Sequence, residues 1–253
     1  MKASPLFSVL IVFLATIFIS IILIAVLNQW LDGIGIETVG LAIDISSISV
    51  LIFIYYLHFL NLSRLKILPD IRELSILTVL GLLIYLLEPL INIPLLVKGL
   101  KQTQISTYSF SEHIENYKGR IDFLSIYSIF RAIIIVPIYE ELIFRRFFID
   151  KLRKKYKPIF VIFFTSFLFS LWHLDLEQSI YAFIMGCLFG GLYYSGYKLW
   201  SIIYLHSLIN LIFTIFSTKY ITFNYYNIAV LFVILIISII WLIKIIFNKK
   251  HSI

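Results

Sequence analysis

Two adjacent carboxylates and two arginines occupy the stretch Tyr139-Glu140-Glu141-Leu142-Ile143-Phe144-Arg145-Arg146, inside sequence that is otherwise strongly apolar. Ionisable groups in a membrane-spanning segment are expensive, so each carries a functional expectation and needs a nearby partner. Glu141 and Arg145 are four residues apart and share a helical face, which makes them the expected ion pair. Glu140 projects about 100° away from Glu141, and a carboxylate set apart in this way suits general-base work. The plainer alternative is a Glu–Arg clamp between helices, with Glu140 lining a polar cavity. On this segment alone the two readings weigh equally.

Two later apolar stretches each carry one imidazole. One is Phe169-Ser170-Leu171-Trp172-His173; the other is His206-Ser207-Leu208-Ile209-Asn210, where His206 and Asn210 are four apart on one helical face. Alone, His173 reads as a hydrogen-bonded structural residue, and His206 with Asn210 as an interhelical hydrogen bond. The set shifts the balance, because so few polar side chains in apolar helices are most simply satisfied by one another. Two chemistries fit. Glu140, His173 and His206 could ligate zinc or another divalent metal and leave a fourth position for water. Alternatively, Glu140 and His173 activate water directly while His206 and Asn210 stabilise an oxyanion. Both lead to hydrolysis of an acyl bond, and neither needs an organic cofactor.

Other hydrolytic schemes fit poorly. There is no His-Glu-x-x-His motif and no Gly-x-Ser-x-Gly elbow. Asp44 is the one aspartate well inside an apolar span, so a paired-aspartate scheme lacks its second member. Cys187 sits in Gly186-Cys187-Leu188-Phe189-Gly190-Gly191, a small-residue face of the kind that packs helices closely.

These residues need elements to hold them, and composition names the class. The 253 residues are 61% hydrophobic and 14% charged, where a soluble domain would carry about 25% charged residues. With a mean hydropathy of +0.99, the expectation is an all-α, polytopic membrane protein of about eight spans, with the site in an intramembrane cavity. The spans fall near 5–27, 39–60, 74–97, 123 onward, 159–174, 179–197, 200–217 and 225–246, the first a retained span rather than a cleaved signal. The polar segment 98–122 is the one long loop. We read residues 1–253 as a single integral membrane domain, with 123–217 as the core that carries the chemistry.

The net charge of +7 comes from Lys and Arg lying mostly between the apolar runs. There they mark topology and lipid headgroups rather than nucleic acid. Placing both termini inside puts fifteen of the twenty-one Lys and Arg in the cytoplasm. Glu140 and His173 are 33 residues apart with Pro158 just past their midpoint. A helix from Glu140 to Lys155 and a turn at 156–158 would set the two at one depth, roughly 24 Å from the turn. Arg146, Asp150 and Lys154, spaced by four, would form a charge ladder on that helix's wetter face.

Glu140-Glu141-x-x-x-Arg145, Phe169-x-x-x-His173 and His206-x-x-x-Asn210, in this order, resemble the three signature motifs of the CPBP intramembrane proteases. The group takes its name from CAAX proteases and bacteriocin-processing enzymes and is also called the Abi family. The resemblance covers about 131–213. It implies that Glu140 and His173 activate water, that His206 and Asn210 complete the site, and that Glu141 and Arg145 support it. The family is called metal-dependent by name, while a metal-free glutamate mechanism has also been proposed for it. The substrate would be a membrane-associated peptide or protein precursor. A composition rich in Ile, Lys, Asn and Tyr resembles that of a low-GC bacterium, which implies a bacterial plasma membrane and favours a bacterial peptide precursor or membrane protein over a prenylated-protein substrate. Some relatives act as non-catalytic membrane partners, so an idle regulator that binds a membrane protein is the competing expectation.

Overall fold

The computed structural model describes residues 4–30, 36–56, 68–91, 123–173 and 176–216. The eighth span, the 98–122 loop, His58 and Asn92 lie outside the described residues. Every regular element within them is helical. In chain order these are α1 (Pro5–Trp30), α2 (Ile36–Tyr56), α3 (Ile71–Ile91), α4, α5 (Pro158–Trp172), α6 (Leu176–Tyr194) and α7 (Leu199–Phe216). Their positions match the first seven expected spans to within a few residues, except that α2 and α3 are described only to Tyr56 and Ile91, short of the expected 60 and 97.

The fourth helix, α4, is a continuous run over 123–152 with changing winding. Phe123–Phe130 is α-helical, Arg131–Ile135 π-helical, Val136–Glu141 α-helical, Leu142–Ile149 π-helical and Asp150–Leu152 α-helical. Pro137 gives a local reason for the first wide turn. A proline has no N–H to donate, and its ring crowds the carbonyl four residues back. Wider winding just upstream relieves that crowding. Glu140 and Glu141 close the α-helical turn between the two π-helical stretches, a placement that often marks functional helices.

The chain divides into two compact units, Met1–Ile67 with Ile135–Ile202, and Leu68–Ile134 with Ile203–Ile253. The first is built around the Leu142–Ile149 stretch, of which all but Leu142 are buried. A surface helix buries one stripe; this one is enclosed, with α5 and α6 packed on it. Within this unit α2 packs against Val136–Glu141, and α1 packs against α2 and Asp150–Leu152. Phe144 is the centre of an aromatic cluster. Its ring meets Phe148, Phe169 and Trp172 edge-on, with centroids 5.1, 5.0 and 5.9 Å away, the T-shaped geometry that ring quadrupoles favour.

The α5–α6 contact is the tightest. A Cβ added at Gly186 would lie 3.0 Å from Ser166 Cβ and 3.1 Å from Ser166 Cα. Glycine is needed there because another backbone occupies the space. Gly190 also faces neighbours, Ile149 and Ile162, at ordinary contact distance, whereas Gly191 meets nothing within 4 Å. The small-residue face read from the sequence is therefore real at two of its three glycines.

In the second unit, Val79, Leu82 and Tyr85 of α3 form a core with Ile212, Leu208 and Phe213 of α7. Thr78 and Tyr204 join their hydroxyls at 2.8 Å. Gly81 admits Leu208 and Leu205 of α7.

Polarity is distributed inside out. Asp44, Ser46, Ser47, Glu140, Glu141, Arg145, Arg146, Thr165, Ser166 and His206 are buried, while Phe7, Leu14, Phe18, Ile52, Phe53, Phe163 and Phe167 are exposed. Pro5–Leu27 is long and apolar enough to cross a membrane; Gly40–Tyr55, Pro158–Trp172 and Leu199–Thr214 are shorter apolar helices.

Candidate active site

The carboxylate pair is fully enclosed, with Glu140 2% and Glu141 0% exposed. Arg145 Nε lies 3.0 Å from Glu141 Oε2, at ion-pair distance but without the alignment of a hydrogen bond. The four-residue spacing thus delivers the expected pair. The guanidinium has further company. Its Cζ lies over the Phe169 ring at 4.8 Å and over the Phe189 ring at 5.6 Å, both within the range of a cation–π contact.

Phe169 also carries the second motif. His173 stands one turn beyond it and meets its ring edge-on, with centroids 5.1 Å apart and planes at 84°. The Phe-x-x-x-His spacing therefore has a physical meaning: one ring touches the arginine of the first motif and the imidazole of the second. His173 itself caps α5, its backbone N–H donating to Ser170 O at 3.2 Å.

The ring contacts also set the register of the α4–α5 pair. Phe144 meets Phe169 and Trp172. Glu140 stands one turn before Phe144 on α4, and His173 directly follows Trp172 on α5. The two residues thus occupy neighbouring levels. The turn differs from the expected one. The helix stops at Leu152 and the chain reverses over 153–157, with Lys157 extended and Pro158 opening α5. Glu140 is then twelve residues from the helix end and His173 fifteen from the start of α5. Side chains lean toward the N-terminus of their own helix, so on this antiparallel pair that offset narrows.

The charge ladder needs correction. Arg146 does pair with Asp150, but Lys154 falls in the turn rather than on the helix. Asp150 instead meets Arg153 Nη1 at 3.6 Å and accepts a hydrogen bond from Tyr193 Oη at 3.2 Å. Nor is this a wet face, because Arg146 is buried. The sequence offered no sign that α6 would cover it.

His206 and Asn210 belong to the second unit, on α7. His206 is buried. Asn210 Nδ2 donates to Ala132 O at 2.8 Å, which anchors the carboxamide to the π-helical turn Arg131–Ile135. An amide nitrogen carries two hydrogens, so this bond uses one donor and leaves the other.

Among the described residues, no three or more His, Cys, Asp or Glu side chains are gathered as a metal ion requires.

Residues 122–212 match the family model described as type II CAAX prenyl endopeptidase Rce1-like. This segment of the chain is similar to that family. It contains all three motifs, from Glu140 to Asn210, and so bears out the resemblance to the CPBP proteases. No curated protein and no solved structure matches the chain.

Phe189 is the site residue that the sequence did not reveal. In a chain with 23 phenylalanines it looks like any apolar position. The one available signal was its place three residues after Gly186, on the face that closes against α5.

Proposed function

We propose that this protein is a multi-pass intramembrane endopeptidase that hydrolyses a peptide bond in a membrane-associated protein or peptide precursor. The observation that carries the proposal is the Rce1-like segment, which contains a buried carboxylate pair and its buried arginine. The inside-out distribution of polarity supports a lipid setting, since exposed apolar rows need an apolar solvent. The CAAX prenyl substrate in the family's name describes that family; the substrate class proposed for this chain is broader.

In this reading Glu140, assisted by His173, takes a proton from water. The resulting hydroxide attacks the scissile carbonyl carbon. His206 and the second Asn210 hydrogen stabilise the oxyanion that forms. The carbon–nitrogen bond then breaks, the amine leaves with the proton returned through the Glu140–His173 pair, and a carboxylate and an amine are released.

The test is comparative peptidomics of cells carrying wild type or Glu140→Gln, with chain abundance measured in the membrane fraction. Loss of specific cleavage products at unchanged abundance supports the proposal. Full rescue of a deletion phenotype by Glu140→Gln, with an unchanged peptide profile, would establish the idle regulator instead.

A further inference from the structure

We infer that Phe169 and Phe189 form an aromatic clamp on Arg145, and that Phe169 passes the position of the clamped guanidinium on to His173. Both phenylalanines are then positioning residues, and Phe189 lies outside all three motifs. The inference rests on the reading of His173 as part of a hydrolytic site.

Arg145 is 1% exposed, so its charge is satisfied by protein alone. Glu141 supplies one contact at 3.0 Å. Glu140 is a second carboxylate neighbour, and the two rings lie 4.8 and 5.6 Å from Cζ. A desolvated guanidinium over aromatic faces is held more strongly than an exposed one, and its planar shape stacks on rings as an ammonium does not. Phe169 and Phe189 are themselves buried and come from α5 and α6. The spacing of those helices is fixed where Gly186 meets Ser166.

Phe169 then faces three ways. Arg145 lies over its face, Phe144 meets it edge-on at 5.0 Å, and His173 meets it edge-on at 5.1 Å. An imidazole in proton transfer needs a fixed orientation. The contacts run from Glu141 through Arg145 and Phe169 to His173, while the adjacent Glu140 stands on the same turn as Glu141. One rigid network thus connects the two groups that are to act on one water.

The experiment uses the purified full chain and reads the rate of His173 carbethoxylation by diethyl pyrocarbonate, by peptide mass spectrometry, across the imidazole titration range. It needs no substrate, so it stands apart from any failure of the protease reading. Replacing Phe189 with pentafluorophenylalanine keeps the shape but removes the ring's attraction for a cation. The expected result is a rise in the His173 rate of at least about twofold, the ratio equivalent to the weakest cation–π contact, with a displaced pH profile. Phe189→Trp retains the wild-type profile, because indole is the better cation partner. Phe189→Leu matches the fluorinated variant. If the fluorinated chain is folded and its His173 profile superimposes on wild type, Phe189 only packs and the inference fails.

Discussion

Replacing Glu141 by glutamine isolates the buried ion pair. At 3.0 Å and an effective dielectric constant near 20, two unit charges attract by about 5 kcal/mol. Desolvating both groups offsets much of this, so the intact pair contributes little net stability. Removing one partner is another matter. Arg145 keeps its charge at 1% exposure, and an orphaned buried charge costs roughly 3–5 kcal/mol. Against a total stability of about 5–15 kcal/mol, Glu141→Gln should lower the folded-to-unfolded ratio by roughly 10²–10⁴. Glu140 and the two rings remain beside Arg145 and account for the lower end of that range. The double variant Glu141→Gln/Arg145→Gln removes both charges of that ion pair. Its remaining deficit should be about 1–3 kcal/mol, that of buried amides with imperfect partners. The assay is thermal unfolding of each purified variant beside its abundance in the membrane fraction. If Glu141→Gln unfolds like wild type, or the double variant is no better than the single, the account of Arg145 is wrong.

Glu140→Gln should keep abundance and thermal stability near wild type while cleavage falls by a factor on the order of 10²–10⁴; substrate cleavage and Tm measured together separate it from Glu141→Gln. Gly186→Ala should destabilise by about 1–3 kcal/mol, because its methyl meets the Ser166 backbone. Gly191→Ala, with open space at the same position, should be neutral or stabilise by up to about 1 kcal/mol through helix propensity, and unfolding midpoints report both. Asn210→Ala should cost about 0.5–1.5 kcal/mol for the lost bond to Ala132 O, while Asn210→Asp should cost more, since a carboxylate oxygen then faces that carbonyl. For topology, a cysteine replacing exposed Lys154 should be labelled by membrane-impermeant maleimide only in opened cells, and labelling in intact cells would invert the proposed orientation.

The helical class, the positions of seven helices and the Glu141–Arg145 pair were legible in the sequence, because each depends on local spacing. Long apolar runs with glycine or proline at their ends make helices of known extent, and four residues always bring two side chains to one helical face. Motif order alone sufficed to indicate the Rce1-like segment. Pro158 opening α5 was legible for the same reason, since a proline at the first helical position obeys a local rule. What tertiary structure decided was everything that depends on which helix lies beside which. The helix that the sequence would carry to Lys155 ends at Leu152, leaving Lys154 in the turn, so Asp150 finds Arg153 and Tyr193 instead. Arg146 is buried because Leu142–Ile149 is enclosed by its neighbours; no periodicity announces a helix covered on all sides. Asn210 spends one donor on Ala132, 78 residues away. The clamp on Arg145 draws Phe189 from a helix with no motif of its own, because cation–π and ring–ring contacts are set by the approach of two helices rather than by spacing along one.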